Sequence, residues 1–491
     1  MNNNNEVTVK VCSFIDFFTN EAIYPVAIDT YQRPYVWNIN KVQELINDLT
    51  EYLSERKGLS YYMGNVLLHQ DNAKGKLYII DGQQRLTTLS ILYFVLYGKL
   101  LDGDKMAMEY YSPLSAQNIK NAQLLFENKK DEFKAHADEL FSKISITFIT
   151  TFNNDIAFTF FDTQNNRGVK LYSTDLLKSY HLRAIGNADN IKIQIDCASR
   201  WEKIQNYKTL FGQKKDFVAE LFNQFLWRAR VWRGQHVINR ETDEDILVEF
   251  QKRTLQSESP DTIPLYPNQN NTFGQKLIIR MNNGYAIQPV NIENTNNSAD
   301  LPFTLRQPIN EGLGFFLFAK KYADLISYLI IKKDIEDIEI NAFRNFYNQV
   351  WSNISIYLKE LFILAVVMYY DKFESTKLLE FTLWLDHVLG AIRIEKQYVF
   401  REAPLKFLKG PDNNLLDIIS QAFRPEEVIL YLKEHKGINE KYENEEIERS
   451  KGVQGIYKDN ILNYYGKSEF FHKASWITDA FVNEKRDSIW K

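Results

Sequence analysis

Hydrophobic positions fall at two different spacings in the first part of the chain. Leu77 to Ile80 is a short continuous apolar run suited to a buried strand, and Leu86, Leu89, Leu92, Tyr93 and Leu96 repeat at helical spacing directly afterwards. Val42, Leu45, Ile46, Leu49 and Leu53 predict an earlier amphipathic helix, and Tyr62 to Leu68 reads as a strand. Ile144 to Phe152 and Ala157 to Phe161 add β-rich sequence, and Ser173 or Thr174 is placed to cap a helix beginning near Asp175. From about Ile191 the pattern is helical and rich in Trp, Tyr and Phe. Gln256 to Pro302 is instead rich in Asn, Pro, Ser and Thr, with Asn283-Gly284 predicting a β-hairpin across Leu277 to Ile287. Helical periodicity returns from Ala342 to about Arg393, and Glu434 to Arg449 is so charged that it predicts a solvated helix or loop. The expected division is a disordered tail at 1–9, an α+β unit at 10–190, helices at 191–255, a polar insertion with a hairpin at 256–305, and a helical domain at 306–491.

The junction between the apolar run and the helix reads Asp81-Gly82-Gln83-Gln84-Arg85. Glycine in such a turn lets a ligand approach the main chain, and the open amides of the first helical turn favour an anion. Arg85 adds a planar cationic fork. Asp81 can hold a divalent metal, Gln83 and Gln84 can orient a water or read a base, and Thr87 or Thr88 can add a hydroxyl. From these residues alone the segment serves equally well as a phosphate-binding turn or as an ordinary helix N-terminus capped by polar residues. A nucleoside triphosphate would need cationic and backbone donors for its phosphates, an oxygen for the metal and a group that positions water, and the segment offers each type.

Three further segments accompany this one. Ile28 to Trp37 reads I-D-T-Y-Q-R-P-Y-V-W, Tyr62 to Leu68 reads Y-M-G-N-V-L-L, and Phe161 to Tyr180 reads F-D-T-Q-N-N-R-G-V-K-L-Y-S-T-D-L-L-K-S-Y. With D-G-Q-Q-R-L-T-T-L they stand in the order of the GmrSD-type restriction endonuclease N-terminal domain, which residues 10 to 190 resemble. That family belongs to the ParB and sulfiredoxin-like superfamily, and its SspE-like and GmrS-like members are anti-phage proteins that hydrolyse nucleoside triphosphates and sense modified DNA. The resemblance therefore implies a ParB-like nucleotide-binding domain in which Gly82 and Arg85 clamp phosphate. Asn165, Arg167 and Gly168 would close over the nucleotide, with Lys178 on the following helix. It implies that Tyr31, Gln32, Arg33, Tyr35 and Trp37 border the cleft and take part in sensing DNA modification. From the residues alone, Tyr35 and Trp37 serve equally well as core, and Asp175 with Lys178 as a surface ion pair.

The whole-chain numbers restrict these readings. A 491-residue chain with 45% hydrophobic and 14% aromatic content can bury two or three domains, and a formal net charge of -4 means that any DNA contact is local. Trp227, Arg228, Arg230, Trp232 and Arg233 form a basic, aromatic cluster that suits either DNA backbone or helix packing. Cys12 and Cys197 are the only cysteines, which fits a reducing cytoplasm and excludes a disulfide framework. The apolar run Leu361 to Tyr370 is too short to cross a bilayer and predicts a core helix. None of the seven histidines stands in a His-Asn-His nuclease motif, and no Walker-type glycine-rich loop is present. The expectation is a cytoplasmic anti-phage nucleoside triphosphatase using Mg²⁺ or another divalent metal, coupled to foreign or modified DNA, with a nuclease or effector partner protein and a capacity for self-association. Two alternatives remain open: a metal-dependent DNA nickase built on Asp81, and a nucleotide-gated scaffold that does not hydrolyse its ligand.

Overall fold

The computed structural model describes residues 7–488 except 30–31, 33, 56–58, 103–104, 154–155, 158–171, 187–189, 213, 258, 260–261, 267–275, 281–283, 289–300, 333–334, 411–413, 444–446 and 448–450. It divides into two compact units, Met1–Glu202 and Lys203–Lys491. The first is α+β and the second is built almost entirely from helices.

In the first unit the strands are β1 (Val7–Ser13), β2 (Val26–Ile28), β3 (Tyr61–Asp71), β4 (Lys76–Asp81), β5 (Met106–Ala107) and β6 (Ile144–Thr151). They form one mixed sheet in the order β1-β6-β3-β4-β2-β5. β3 runs antiparallel to β4 and parallel to β6, with its register broken between Tyr62 and Gly64. The helices are α1 (Phe14–Phe18), α2 (Ile39–Glu55), α3 (Gln83–Tyr97), α4 (Pro113–Asn128), α5 (Lys130–Lys134), α6 (Ala137–Lys143), α7 (Ser173–Ala184) and α8 (Ile191–Gln205). Val66, Leu68, Ile79, Ile146 and Phe148 of the sheet bury against Phe14, Phe17 and Phe18 of α1 and Leu86, Leu89 and Leu92 of α3. The Phe17 ring stacks on Phe148 with centroids 3.5 Å apart. Helix α3 is buried on nearly every side, including Thr87, Thr88 and Ser90, so it is the central helix of the unit. Its small hydroxyl residues fit there because each donates back to the carbonyl four residues earlier, at 2.7 Å in all three cases.

Three local expectations change. Helix α7 is preceded by Tyr172 as its N-cap, so Ser173 and Thr174 lie inside its first turn. The cap is closed by the Asp175 carboxylate, which accepts from Tyr172 N at 3.2 Å. Of the strand expected at Ala157–Phe161, Ala157 N donates to Asn153 O in a helical turn, and 158–161 lie outside the described residues. The charged stretch from Glu434 contains a short 3₁₀ turn, Asn439–Glu443, whose Tyr442 is buried at 2% exposure.

In the second unit Lys276–Arg280 and Gly284–Gln288 pair antiparallel as a separate hairpin. The long helices Ile356–Phe373 and Leu378–Glu395 are buried along most of their length. Their polar residues are matched internally: Asp386 accepts from Trp351 Nε1, Tyr457 OH and Lys473 Nζ at 2.9, 2.8 and 2.6 Å. No described helix is long and apolar enough to cross a membrane.

Candidate functional site

Strand β4 ends at Asp81, and the chain turns into α3 through Gly82, which has φ 95° and ψ 2°. This conformation is left-handed, and a Cβ there would sit 2.7 Å from Val66 Cγ2, so glycine is required on both counts. No side chain caps α3, and its first-turn amides face the turn as a ready anion site. Arg85 lies in this first turn. Its Nη2 donates to Asp81 Oδ2 at 3.2 Å and its Nη1 to Met63 O at 3.3 Å, while a quarter of the side chain stays exposed. A pair this exposed contributes little to stability, so the guanidinium can exchange partners at small cost. The fork lies flat on the β3 backbone because the register break places Gly64, with φ 101°, beneath it. A Cβ at Gly64 would collide with Nη1.

The turn is fastened to the segment between β2 and α2. Gln32 Nε2 donates to Ile80 O at 3.1 Å. Gln84 accepts from Val36 N and Trp37 N at 2.8 and 3.2 Å and donates to Pro34 O at 3.1 Å. Tyr35 is wholly buried, with its hydroxyl 2.8 Å from Thr88 Oγ1, and burial pushes that hydroxyl up to about 12. Tyr35 is therefore a core residue and offers no stacking surface to a ligand. Trp37 is half-buried against the same core. Thr87 and Thr88 likewise turn inward: beyond their bonds within α3, Thr87 meets the Tyr110 hydroxyl and Thr88 meets Tyr35. The sheet-side core claims both hydroxyls expected at a ligand.

Gln83 is placed differently. It is 4% exposed, lies beside the Tyr110 hydroxyl, and neither its Oε1 nor its Nε2 forms a geometrically sound hydrogen bond. Its side chain lines a small, partly open cleft, together with Gln32 and Pro34, the Tyr110–Ser112 segment leading into α4, and one face of α8. Ser112 Oγ, at the N-cap of α4, is a second buried cleft atom without a partner. Glu202 of α8 forms part of the wall and receives Lys178 Nζ at 3.0 Å, both side chains being largely buried. Asp29 and Glu109 also border the cleft, and no Lys or Arg is among its described lining residues.

Three of the four sequence motifs thus meet at the N-terminus of α3. The fourth contributes Lys178, one shell behind the cleft wall. Tyr31, Arg33, Asn165, Arg167 and Gly168 lie outside the described residues. Arg85 and Gln83, two positions apart on a helix, point to opposite flanks of the turn, so Arg85 is not part of the cleft lining. Gly64, Ser112, Tyr110 and Glu202 were not singled out from sequence. Gly64 stood inside the Y-M-G-N motif, and Ser112-Pro113 carries the ordinary start signal of a helix. Asp81 is a single carboxylate engaged by Arg85, and no group of three His, Cys, Asp or Glu that could hold a metal occurs among the described residues. An all-protein metal cage does not fit these residues. A Mg²⁺ arriving on a triphosphate needs only one or two protein carboxylates, which Asp81 can supply.

The basic, aromatic cluster of the second unit is internal except for Arg233. Trp227 and Trp232 are 2% and 3% exposed. Arg228 pairs with Glu360 at 2.6 Å, and Arg230 pairs with Glu249 at 2.6 Å. These two arginines each answer a glutamate from another helical segment, so the packing alternative describes them and the tryptophans, whereas Arg233 is exposed and donates to Arg230 O at 2.8 Å.

Two family models match the chain. The N-terminal domain of the GmrSD restriction endonuclease matches residues 14–182, and a family of unknown function, DUF7834, matches residues 193–449. No C-terminal nuclease domain is among the matches. Comparison with curated proteins finds no match.

Proposed function

Given that this chain belongs to the DUF7834 family through more than half of its length and carries a GmrSD restriction endonuclease N-terminal domain before it, we propose that it is a restriction-type anti-phage protein whose first unit binds and hydrolyses a nucleoside triphosphate. The observation that carries this reading is the convergence of three motifs on one uncapped helix N-terminus, with Gly82 opening the backbone and Arg85, a quarter exposed and paired with Asp81, beside it. We read the mixed sheet as ParB-like on the strength of the family.

In this account the first-turn amides of α3 and the Arg85 fork bind the phosphates, since backbone donors and a guanidinium together stabilise negative charge. Asp81 would hold the divalent cation carried by the nucleotide, and such a cation supplies charge neutralisation on the phosphates. Its carboxylate also restrains Arg85, so ligand binding exchanges one partner of the guanidinium for another. Gln84 acts by position, since its carboxamide fixes the 34–37 segment against the turn. Gln32 acts the same way at Ile80 O, and this hydrogen bond supports a mechanical link between the 31–37 segment, which we take to sense modification, and the Gly82 turn. DNA bound at that segment can shift turnover because the two share hydrogen bonds. The damaging step falls to a partner carrying nuclease or effector activity. Phosphate release measured without DNA, with unmodified DNA and with modified DNA tests the coupling. A rate that depends on the DNA's modification is expected, and a rate indifferent to all DNA would sink it.

A further inference from the structure

We infer that the cleft on the Gln83 flank of the turn is a nucleobase site, which deepens the nucleotide reading above and rests on it. Two helix N-termini, those of α3 and α4, meet at this cleft, and each brings a buried polar group that is poorly satisfied among the described residues: the Gln83 carboxamide, whose neighbour is the Tyr110 hydroxyl, and Ser112 Oγ. A carboxamide buried to 4% exposure with its hydrogen-bonding capacity largely unused costs stability, and a ligand that presents an acceptor beside a donor removes that cost. The edge of a nucleobase presents such a pair, and a carboxamide meets it with two bonds in one plane.

Charge decides which end of a nucleotide lies here. The cleft is bordered by Asp29, Glu109 and Glu202, the last paired with Lys178 at 3.0 Å, with no Lys or Arg among its described lining residues, whereas Arg85 stands on the opposite flank of the same helical turn. A lining with this balance of charge disfavours phosphate relative to an uncharged base. The nucleotide therefore straddles the start of α3, base toward Gln83 and phosphates toward Arg85. This also explains why adjacent glutamines behave differently, Gln84 being saturated by the main chain of residues 34–37 and Gln83 left open.

The test is titration calorimetry of the full chain with each of the four ribonucleoside triphosphates and with inorganic tripolyphosphate, all with Mg²⁺, for wild type, Gln83→Leu, Ser112→Ala and Arg85→Ala. Gln83→Leu is expected to melt at or above the wild-type temperature, because it replaces an orphaned carboxamide by apolar volume, and to weaken the preferred nucleotide by about tenfold without changing tripolyphosphate affinity. Ser112→Ala is expected to shift the same way by a smaller factor, and Arg85→Ala to weaken both ligands. Arg85-dependent nucleotide binding that is indifferent to Gln83→Leu and Ser112→Ala overturns this inference alone. Parallel loss of tripolyphosphate affinity in Gln83→Leu also overturns it. A wild-type chain that binds no triphosphate overturns the nucleotide reading itself.

Discussion

Single residues at the turn divide into those that the proposed function sets against a ligand and those that hold the former in place. Gly64 belongs to the second kind, because its lack of a Cβ is what lets the Arg85 guanidinium rest on the β3 backbone. Gly64→Ala is predicted to cost about 1–2 kcal/mol through its left-handed backbone. By displacing the fork it is also predicted to lower turnover by about 10²-fold, with a smaller change in melting than in rate. Equal turnover in the variant would show that Arg85 does not act from this position. Sequence made the strand-to-helix turn at Asp81–Arg85 legible, because the apolar run of β4 gives way there to helical spacing with a glycine between them. It could not separate Gln83 from Gln84. Consecutive helical positions differ by about 100° in direction, and only the long-range neighbours decide which of the two is consumed. The same limit applied to Tyr35 and Thr88, whose mutual bond spans 53 residues.

At the level of elements, α2, β3, β4, α3 and β6 were legible because their periodicity is undisturbed and their termini are marked by polar residues or glycine. What escaped was the use of charged residues as internal fasteners. In the segment from Leu221 to Trp227 the helix widens to π geometry, and Gln224 and Arg228 both reach Glu360, at 3.1 and 2.6 Å. The helix Leu378–Glu395 carries a similar arrangement one turn from its centre. Gly390 leaves room for the Tyr457 hydroxyl, and Asp386 meets Lys473 with both side chains fully buried. Asp386→Ala would strand a buried ammonium and two ring donors, and is predicted to destabilise by about 3–5 kcal/mol in chemical denaturation. A loss below 1 kcal/mol would mean that the ammonium finds water. Beside it, burial and the Lys473 ammonium drive His387 down to about 3. The folded form therefore stays neutral where the unfolded chain, near 6.5, takes a proton. The unfolded state binds more protons between these values, so this contribution is fully present above about 6.5 and is lost as pH falls toward 3. His387→Phe, which keeps the ring against Tyr442, is predicted to flatten the fall in urea midpoint between pH 7.5 and pH 4.5. An unchanged slope would place the acid sensitivity elsewhere.

Considered as a whole molecule, the chain joins an α+β unit ending at Glu202 to a helical unit with no match to a nuclease. The formal net charge of -4 gives the chain no overall basic field, and the internal pairing of Arg228 and Arg230 removes those two arginines as DNA contacts. Recognition on this account is local and lies beside the phosphate turn, where the Gln32 and Gln84 bonds connect the two motifs. This two-unit plan was partly legible: the change from mixed to helical periodicity near Ile191 stands close to the boundary, which falls within α8 because that helix serves as a wall of the cleft and continues into the next unit. The measurement that most directly tests the central claim is phosphate release by the intact chain with the four ribonucleoside triphosphates and Mg²⁺, wild type beside Arg85→Ala at matched thermal stability. The account predicts turnover by the wild type and a loss of about 10²-fold or more in the variant, as expected when a preorganised charge is removed from a developing oxyanion. Undiminished hydrolysis by Arg85→Ala, or none by a wild type that is folded, would contradict it.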